Sequence, residues 1–539
     1  MTTSEPWWRD AVVYQVYPRS FADESGDGEG DLAGVISRLP YLASLGVDAI
    51  WLSPFYPSPQ LDAGYDVSDP RAVDPRFGTL EDAQRMINEA HARGLRVIVD
   101  LVPNHFSTAH EWFQEALASP PGSPERARFH FREGRGPNGD EPPNNWASLF
   151  TGPSWTRVTE ADGLPGQWYM NMFDSSQADL NWTNPDVVED FHTTLRFWLD
   201  MGVDGFRVDV AFGLAKDMTY PDVPDPVGLV EGVRLDLDTG SEESQRRRDL
   251  VAGSPYMDRD EVQDIYRGWR AILDSYEGDR MAVAEAWLPP ARARRYVAGD
   301  TLHQIFNFDF LMAPWDAGAL ARVITSTIDG LAPAPVTWAL NNHDTARVAT
   351  RLGGGDVGVR RARALAMLAH ALPGSLYIFQ GEELGLQDAE IPNERREDPV
   401  FFRSKGEQLG RDGARAPLPW SGDAPPYGFG GQHTWLPQPD GWGGLTVAAQ
   451  QDDPASTLAL YRASILLRRA HPGLAGDAPW RITTDRDDVI VLERGAGFVC
   501  VSNCSAGPIP APDGMVLLSS APLLADGSIP PDTTAWFQT

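Results

Sequence analysis

Cysteine and lysine are nearly missing from this 539-residue chain. The two cysteines, Cys500 and Cys504, lie four residues apart near the C-terminus. That number and spacing give neither a disulfide framework nor a zinc site, and they fit a reducing cytoplasm. Lys216 and Lys405 are the only lysines, and positive charge as a whole is scarce: 45 Lys and Arg stand against 76 Asp and Glu, a formal net charge of -31. Nucleic acid and anionic membrane both need basic patches, so this balance argues against either as a partner and leaves a small neutral substrate untouched. There is no run of 18 apolar residues, and no charged n-region leads into an apolar h-region, so a soluble chain without a signal peptide is expected.

The length predicts two to four domains, unless a barrel with long insertions holds most of the chain. From Ala11 onward, short apolar runs ending in polar residues alternate with helix-like stretches, the rhythm of a parallel sheet with crossover helices. The runs are 11–18, 47–54, 96–102, 205–210, 281–287, 303–310, 336–344 and 375–381. Eight such strands close a (β/α)8 barrel, in which reactive residues come from the C-terminal strand ends. The expected fold is therefore an α/β barrel formed by residues 1–104 and 183–470. A Pro-, Gly-, Asn- and aromatic-rich insertion, residues 105–182, should stand over its mouth as a loop-rich domain. The segment 385–454 is again irregular, and PDVPDP (221–226) and SEESQRRRD (241–249) read as charged, mobile surface. Leu458, Tyr461 and Ile465 recur at helical spacing as a last barrel helix. Residues 471–539 turn to short β runs and read as a small, sandwich-like antiparallel domain.

The stretch GFRVD, Gly205 to Asp209, carries the first chemical signal. Arg207 and Asp209 interrupt an apolar strand two positions apart, so both leave the same face. A buried ion pair is weak evidence for stability, so the pair reads either as a structural salt bridge at a strand end or as chemistry. Glu285 ends the fifth run, and His343 and Asp344 end the seventh. Carboxylates gathered at one barrel mouth have their pKa values pushed apart, one ionised and one protonated. Glycoside hydrolysis requires that division: a carboxylate attacks the anomeric carbon while a carboxylic acid protonates the leaving oxygen.

A second acidic cluster, DESGDGEGD, alternates Asp23, Ser25, Asp27, the carbonyl of Glu29 and Asp31 with glycines. Oxygen ligands at every second residue round a tight turn suit calcium, or less readily magnesium. A solvated acidic turn with no ion is the other reading.

The motifs DLVPNH (100–105), QADLNW (177–182), GFRVDVAF (205–212), EAW (285–287) and NNHD (341–344) resemble, in order and placement, those of the α-amylase superfamily, glycoside hydrolase family 13, and within it the oligosaccharide-active α-glucosidase branch. The resemblance implies Asp209 as nucleophile, Glu285 as general acid and base, and Asp344 as the group that grips the sugar hydroxyls. It implies sugar-binding roles for His105, Arg207 and His343, a stacking role for Tyr65, and pocket walls at Phe150 and Phe173. Asp62 matches the aspartate that pairs with an arginine to close the pocket, and the expected partner is Arg415 in GRDGARAPLPW. The early acidic turn matches the branch's metal loop, with Ser25 in place of the usual asparagine, so a bound calcium with Asp23, Ser25, Asp27, Glu29 and Asp31 as ligands is expected. Val210 after the nucleophile accompanies α-1,6 cleavage in part of the branch, whereas the flanking residues resemble a group acting on α-1,4 bonds; α-1,4-linked short substrates are the expectation. The implied activity is retaining, exo-acting α-glucosidase. Transglucosylation or sucrose and maltose isomerisation by the same double displacement are the alternatives, with a non-catalytic transporter-subunit relative more remote.

Overall fold

The structure is a computed structural model and describes residues 5–227, 251, 254–486 and 488–539. Eight parallel strands form its centre: β1 (Val12–Val16), β2 (Ala49–Leu52), β3 (Arg96–Leu101), β4 (Gly205–Val208), β5 (Met281–Ala284), β6 (Gln304–Ile305), β7 (Thr337–Ala339) and β8 (Ser375–Phe379). Their hydrogen-bonded order is β6-β5-β4-β3-β2-β1-β8-β7. The seam between β6 and β7 is bridged by a side chain, Thr337 Oγ1 donating to Ile305 O at 2.5 Å. All eight expected strands are present, each shorter than its apolar run because the polar tail of the run has already left the ladder.

Alternation along the strands sorts their side chains. Val12, Tyr14 and Val16 of β1 pack outward under the helices, while Val13 joins Ala49, Trp51, Ile98, Met281, Val283 and Tyr377 in a separate interior cluster. With a period of two, Asp100 shares the inward face with Ile98, Arg207 with Gly205, and Glu285 with Val283. Register completes the placement, because Asp100 on β3 lies opposite Arg207 on β4.

The covering helices begin and end where the sequence provides stops. Helix α1 (Leu32–Leu45) is capped by Asp31, which accepts from Gly34 N at 2.6 Å, and ends at Gly46 with φ 93°; that left-handed geometry suits glycine. Helix α2 (Leu80–Ala92) opens with a capping box between Thr79 and Asp82. Helices α3 (Pro185–Asp200), α4 (Val262–Leu273), α5 (Ala317–Leu331), α6 (Gly355–Ala371) and α7 (Thr457–Ala470) continue the ring. Leu458, Tyr461 and Ile465 of α7 are buried.

The insertion after β3 is less loop-like than its composition. His105–Ser107 pairs antiparallel with Gln177–Asp179, and Phe131–Arg132, Pro165–Met170 and Trp155–Thr159 form a three-stranded sheet. At the C-terminus, β9 (Trp480–Arg486), β10 (Val489–Arg494), β11 (Phe498–Asn503), β12 (Met515–Ser519) and β13 (Thr533–Gln538) make one antiparallel sheet in the order β9-β10-β11-β13-β12. Trp536 of β13 docks it on α6, its indole donating to Met367 O at 3.2 Å. Of the surface expected to be mobile after β4, Asp222 is tied to Arg135 at 2.8 Å, and 241–249 lies outside the described residues. Among the described residues no helix is long and apolar enough to cross a membrane. Cys500 and Cys504 are both free thiols.

Candidate active site

The ends of β3, β4 and β5 bring Asp100, Arg207, Asp209 and Glu285 into one buried cluster. Arg207 Nη1 lies 2.9 Å from Asp100 Oδ1 and 2.6 Å from Asp209 Oδ1, and its Nη2 lies 3.7 Å from Glu285 Oε2. Asp100 also accepts from Tyr65 Oη at 3.0 Å and Trp51 Nε1 at 3.2 Å. Glu285 is held at both oxygens: Val210 N donates to Oε2 at 2.7 Å and Trp287 Nε1 to Oε1 at 2.6 Å. Val210 is a β-branched residue at φ 45°, a strained backbone conformation that turns its amide toward Glu285.

Asp344, after β7, sits between two arginines. Arg411 Nη1 and Arg415 Nη2 each lie 2.9 Å from its Oδ1, and His343 Nε2 lies 3.1 Å from Oδ2. His343 Nδ1 meets Gln15 Nε2 at 2.8 Å, and its ring stacks on Tyr65 with centroids 5.0 Å apart. The Gln15 amide can only donate there, so Nδ1 accepts and the proton belongs on Nε2, facing Asp344.

Burial sets the protonation pattern and charge refines it. It raises Glu285, against the pull of Arg207, and raises Asp209 well above the usual carboxylate range, with Arg207 opposing and Glu285 adding to the rise. Two such neighbours hold on to a proton between them. Arg207, 2.6 Å from Asp209 and 3.7 Å from Glu285, favours the charge on Asp209 over Glu285. For Asp344 burial alone would raise the pKa, but His343, Arg411 and Arg415 hold it well below the ordinary value. Burial pushes His343 well below its ordinary value, so the arginines are the standing positive charges beside Asp344.

These groups open into a cavity of about 620 Å³ lined by Asp62, Tyr65, His105, Phe150, Phe173, Asp209, Glu285, Trp287, Asp344 and Arg411 among others. Phe150 and Phe173 meet edge to face at 5.3 Å, and Phe173 lies 5.3 Å from His105. The three carboxylates and Asp62, Tyr65, His105, Phe150 and Phe173 are thus brought together as the sequence leads one to expect. Arg207 and His343 lie beneath the cavity as buried supports.

The expected partner of Asp62 needs correcting. Arg415 bonds to Asp344 Oδ1 at 2.9 Å and to His343 O at 2.8 Å, and reaches Asp62 only through its charge. The partner is Arg411, whose Nη2 lies 2.7 Å from Asp62 Oδ1. A short 3-10 turn over Asp412–Arg415 separates the two arginines and sends them to different carboxylates. Asp398 anchors Arg411 from behind at 2.7 Å; burial raises its pKa but Arg411 and Arg415 bring it down to about 2. Asp62, where burial outweighs Arg411, is pushed up to about 6. The sequence reading missed Arg411, Asp398 and Trp287. It also missed the buried pair Lys216 and Asp179, 2.8 Å apart, where Lys216 additionally donates to Asn104 Oδ1 at 2.9 Å.

The acidic turn is arranged as a self-satisfied loop. Asp23 accepts from Gly26 N at 2.6 Å, Gly28 N at 2.9 Å and Ser25 Oγ at 3.0 Å. Asp31 caps α1 and accepts from Ser25 N at 2.9 Å, while the Glu29 carboxylate pairs with Arg19 at 2.7 Å. Among the described residues no three His, Cys, Asp or Glu side chains are grouped to hold a metal ion.

The α-amylase catalytic-domain family profile matches residues 15–477. A probable alpha-glucosidase of Rhizobium meliloti (strain 1021) is 39% identical over 484 residues, covering 87% of this chain and 84% of that one. An oligo-1,6-glucosidase of Parageobacillus thermoglucosidasius is 36% identical over 501 residues, covering 86% and 84%. The crystal structure of an alpha-glucosyl transfer enzyme superposes with a TM-score of 0.87 at 35% identity, covering 99% of this chain and 100% of that chain. With the barrel, the convergent carboxylates and their arginine supports in place, the chain belongs to the α-amylase family, glycoside hydrolase family 13, in its oligosaccharide-active glucosidase branch.

Proposed function

We propose that the protein is a retaining α-glucosidase that removes terminal non-reducing α-linked glucose from short oligosaccharides or α-glucosides. One observation carries this reading: Arg207 bridges Asp209 and Glu285 beneath a cavity whose wall includes the Asp62–Arg411 ion pair. In the first step Asp209 attacks the anomeric carbon, the bond to the leaving oxygen breaks, and Glu285 gives that oxygen its proton. In the second, Glu285 takes a proton from water as the water oxygen replaces Asp209 at carbon. Asp344, kept ionised by its arginines, accepts from sugar hydroxyls. The wall that Arg411 ties to Asp62, Asp344 and Asp398 supports a pocket that takes one terminal glucose and does not thread a longer chain.

The proposed linkage is α-1,4, with maltose as the simplest substrate. A proton NMR time course with maltose tests the reading. Falling maltose with α-glucose released first from the cleaved end supports it, whereas unchanged maltose, or β-glucose first, overturns it. New glucosidic signals with little free glucose would favour transglucosylation or isomerisation by the same intermediate; the likeness to an alpha-glucosyl transfer enzyme is why that second reading is kept.

Calcium, with magnesium as the second choice, is the proposed structural occupant of the loop holding Asp23, Ser25, Asp27, Glu29 and Asp31. The alternation of oxygen-bearing residues with glycine supports it; binding would require Asp23 and Asp31 to reorient from the amides they now hold. A melting temperature that neither a chelator nor added calcium moves would refute it. We place the protein in the cytoplasm on its two free cysteines; recovery of activity in a secreted fraction would contradict that.

A further inference from the structure

We propose that Trp287 is a positioning residue that switches Glu285 between its acid and base forms by giving and withdrawing one hydrogen bond. The proposal rests on the double-displacement reading above and deepens it. Both oxygens of Glu285 accept an N–H, Oε1 from the Trp287 indole at 2.6 Å and Oε2 from the Val210 amide at 2.7 Å. Such an arrangement favours the carboxylate, because N–H donors stabilise the charged form and the hydroxyl oxygen of a neutral acid is a poor acceptor. The neutral acid therefore cannot keep both bonds.

The two donors differ in freedom. Val210 N is backbone, fixed at the end of β4. The Trp287 indole is a half-buried side chain on the cavity wall. Its ring is stacked on buried Phe308, with centroids 3.7 Å apart and planes 12° from parallel. Phe308 starts the short helix Phe308–Met312, capped by Asn307. The other ionisable groups acting on Glu285 are Arg207, Asp209 and Asp344, with Tyr266 of α4 nearby. Arg207 is pinned between Asp100 and Asp209 and sets a fixed background. Protonation of Glu285 at Oε1 thus releases the indole and leaves an O–H toward the leaving oxygen. Once that proton has passed to the glycosidic oxygen and the Asp209 ester has formed, the indole rebinds Oε1. It holds the carboxylate that then takes a proton from the attacking water.

The test uses the whole enzyme and Trp287→Phe, which keeps the aromatic stack and removes the donor. The alkaline limb of kcat/KM should move up by about one pH unit, the scale of a lost hydrogen bond to a charged group. Release of the glucosyl group should slow about tenfold, within the range of general-base catalysis, so that p-nitrophenyl α-glucoside gives a burst. Trp287→His, which restores an N–H, should return the limb part of the way. Phe308→Leu, which loosens the stack but keeps the donor, should raise KM and leave the limb in place. In the unaltered enzyme with 15N-indole tryptophan, the Trp287 Nε1–H resonance should titrate with the alkaline limb, a readout that needs no variant. An unmoved limb in an active Trp287→Phe enzyme, or an indole resonance blind to that titration, overturns the proposal alone. An unaltered enzyme that turns over no α-glucoside overturns the underlying reading as well.

Discussion

Arg411 Nη2 lies 2.7 Å from Asp62 Oδ1, and the same guanidinium reaches Asp344 at 2.9 Å and Asp398 at 2.7 Å. One side chain therefore ties the pocket wall to a carboxylate of the reaction centre. Replacing it with alanine takes the arginine from buried Asp62 and Asp398 and leaves Asp344 to Arg415, and breaking a buried pair costs about 3–5 kcal/mol. Arg411→Ala should raise KM for maltose at least about tenfold, a 1.4 kcal/mol effect, and should lower the urea midpoint. Arg415→Ala should act on kcat more than on KM, because it touches Asp344 and His343 O but not Asp62. Steady-state kinetics of the two variants side by side decide the matter; identical behaviour would mean the wall and the centre are not separable.

Asp398 gives a pH signature of that wall. Its folded pKa is about 2 against an ordinary 3.8, a depressed carboxylate. Its contribution is fully present above the ordinary value and is lost as pH falls through the folded one. Acid unfolding followed by circular dichroism should be less steep between 3.8 and about 2 in Asp398→Asn than in the unaltered protein, even though that variant starts from lower stability.

With Glu285 as the proposed general acid, its protonation sets the expected alkaline limit of activity. Burial raises it above the ordinary 4.5, and the protonated form is the one that cleaves the bond. Thus kcat/KM should fall as pH rises through that raised value, and fall again at low pH as Asp209 takes up its proton. Glu285→Gln should abolish the alkaline limb and leave more residual activity on p-nitrophenyl α-glucoside, whose leaving group needs little acid, than on maltose. Equal losses on both substrates would contradict the assignment.

Lys216 and Asp179, both fully buried at the side chain and 2.8 Å apart, lie between the insertion and the loop after β4. Lys216→Met leaves Asp179 charged and unpaired, and should cost about 3–5 kcal/mol, read as a lower denaturant midpoint. Replacing both partners, Lys216→Met with Asp179→Leu, should recover part of that loss.

The barrel and the charged cluster at its mouth were legible because strand periodicity reaches them. Asp100, Arg207 and Glu285 lie on the inward parity of apolar runs, and the strand-end rule then gathers them at one mouth. Arg411 and Asp398 sit in the irregular stretch after β8, where no period says which way a side chain reaches. Arg411 and Arg415 occupy one GRDGAR segment, and only the turn at Asp412–Arg415 separates their targets. Trp287 was visible as a member of the EAW motif, but the motif does not say that its indole donates to Glu285 or that its ring stacks on Phe308. The acidic turn reads from its spacing as a cation loop, and what spacing does not show is that Asp23 and Asp31 accept from amides of the same turn.

The most direct test of the central claim is to trap the intermediate. The enzyme would be quenched during turnover of 5-fluoro-α-glucosyl fluoride, digested, and its peptides mapped by mass spectrometry. A fluoroglucosyl ester on the peptide carrying Asp209, absent from the Asp209→Asn variant, whose kcat on maltose should also fall at least about a thousandfold, or 4 kcal/mol, is the result expected. Full turnover with no label, or a label on another residue, would contradict a double displacement through Asp209.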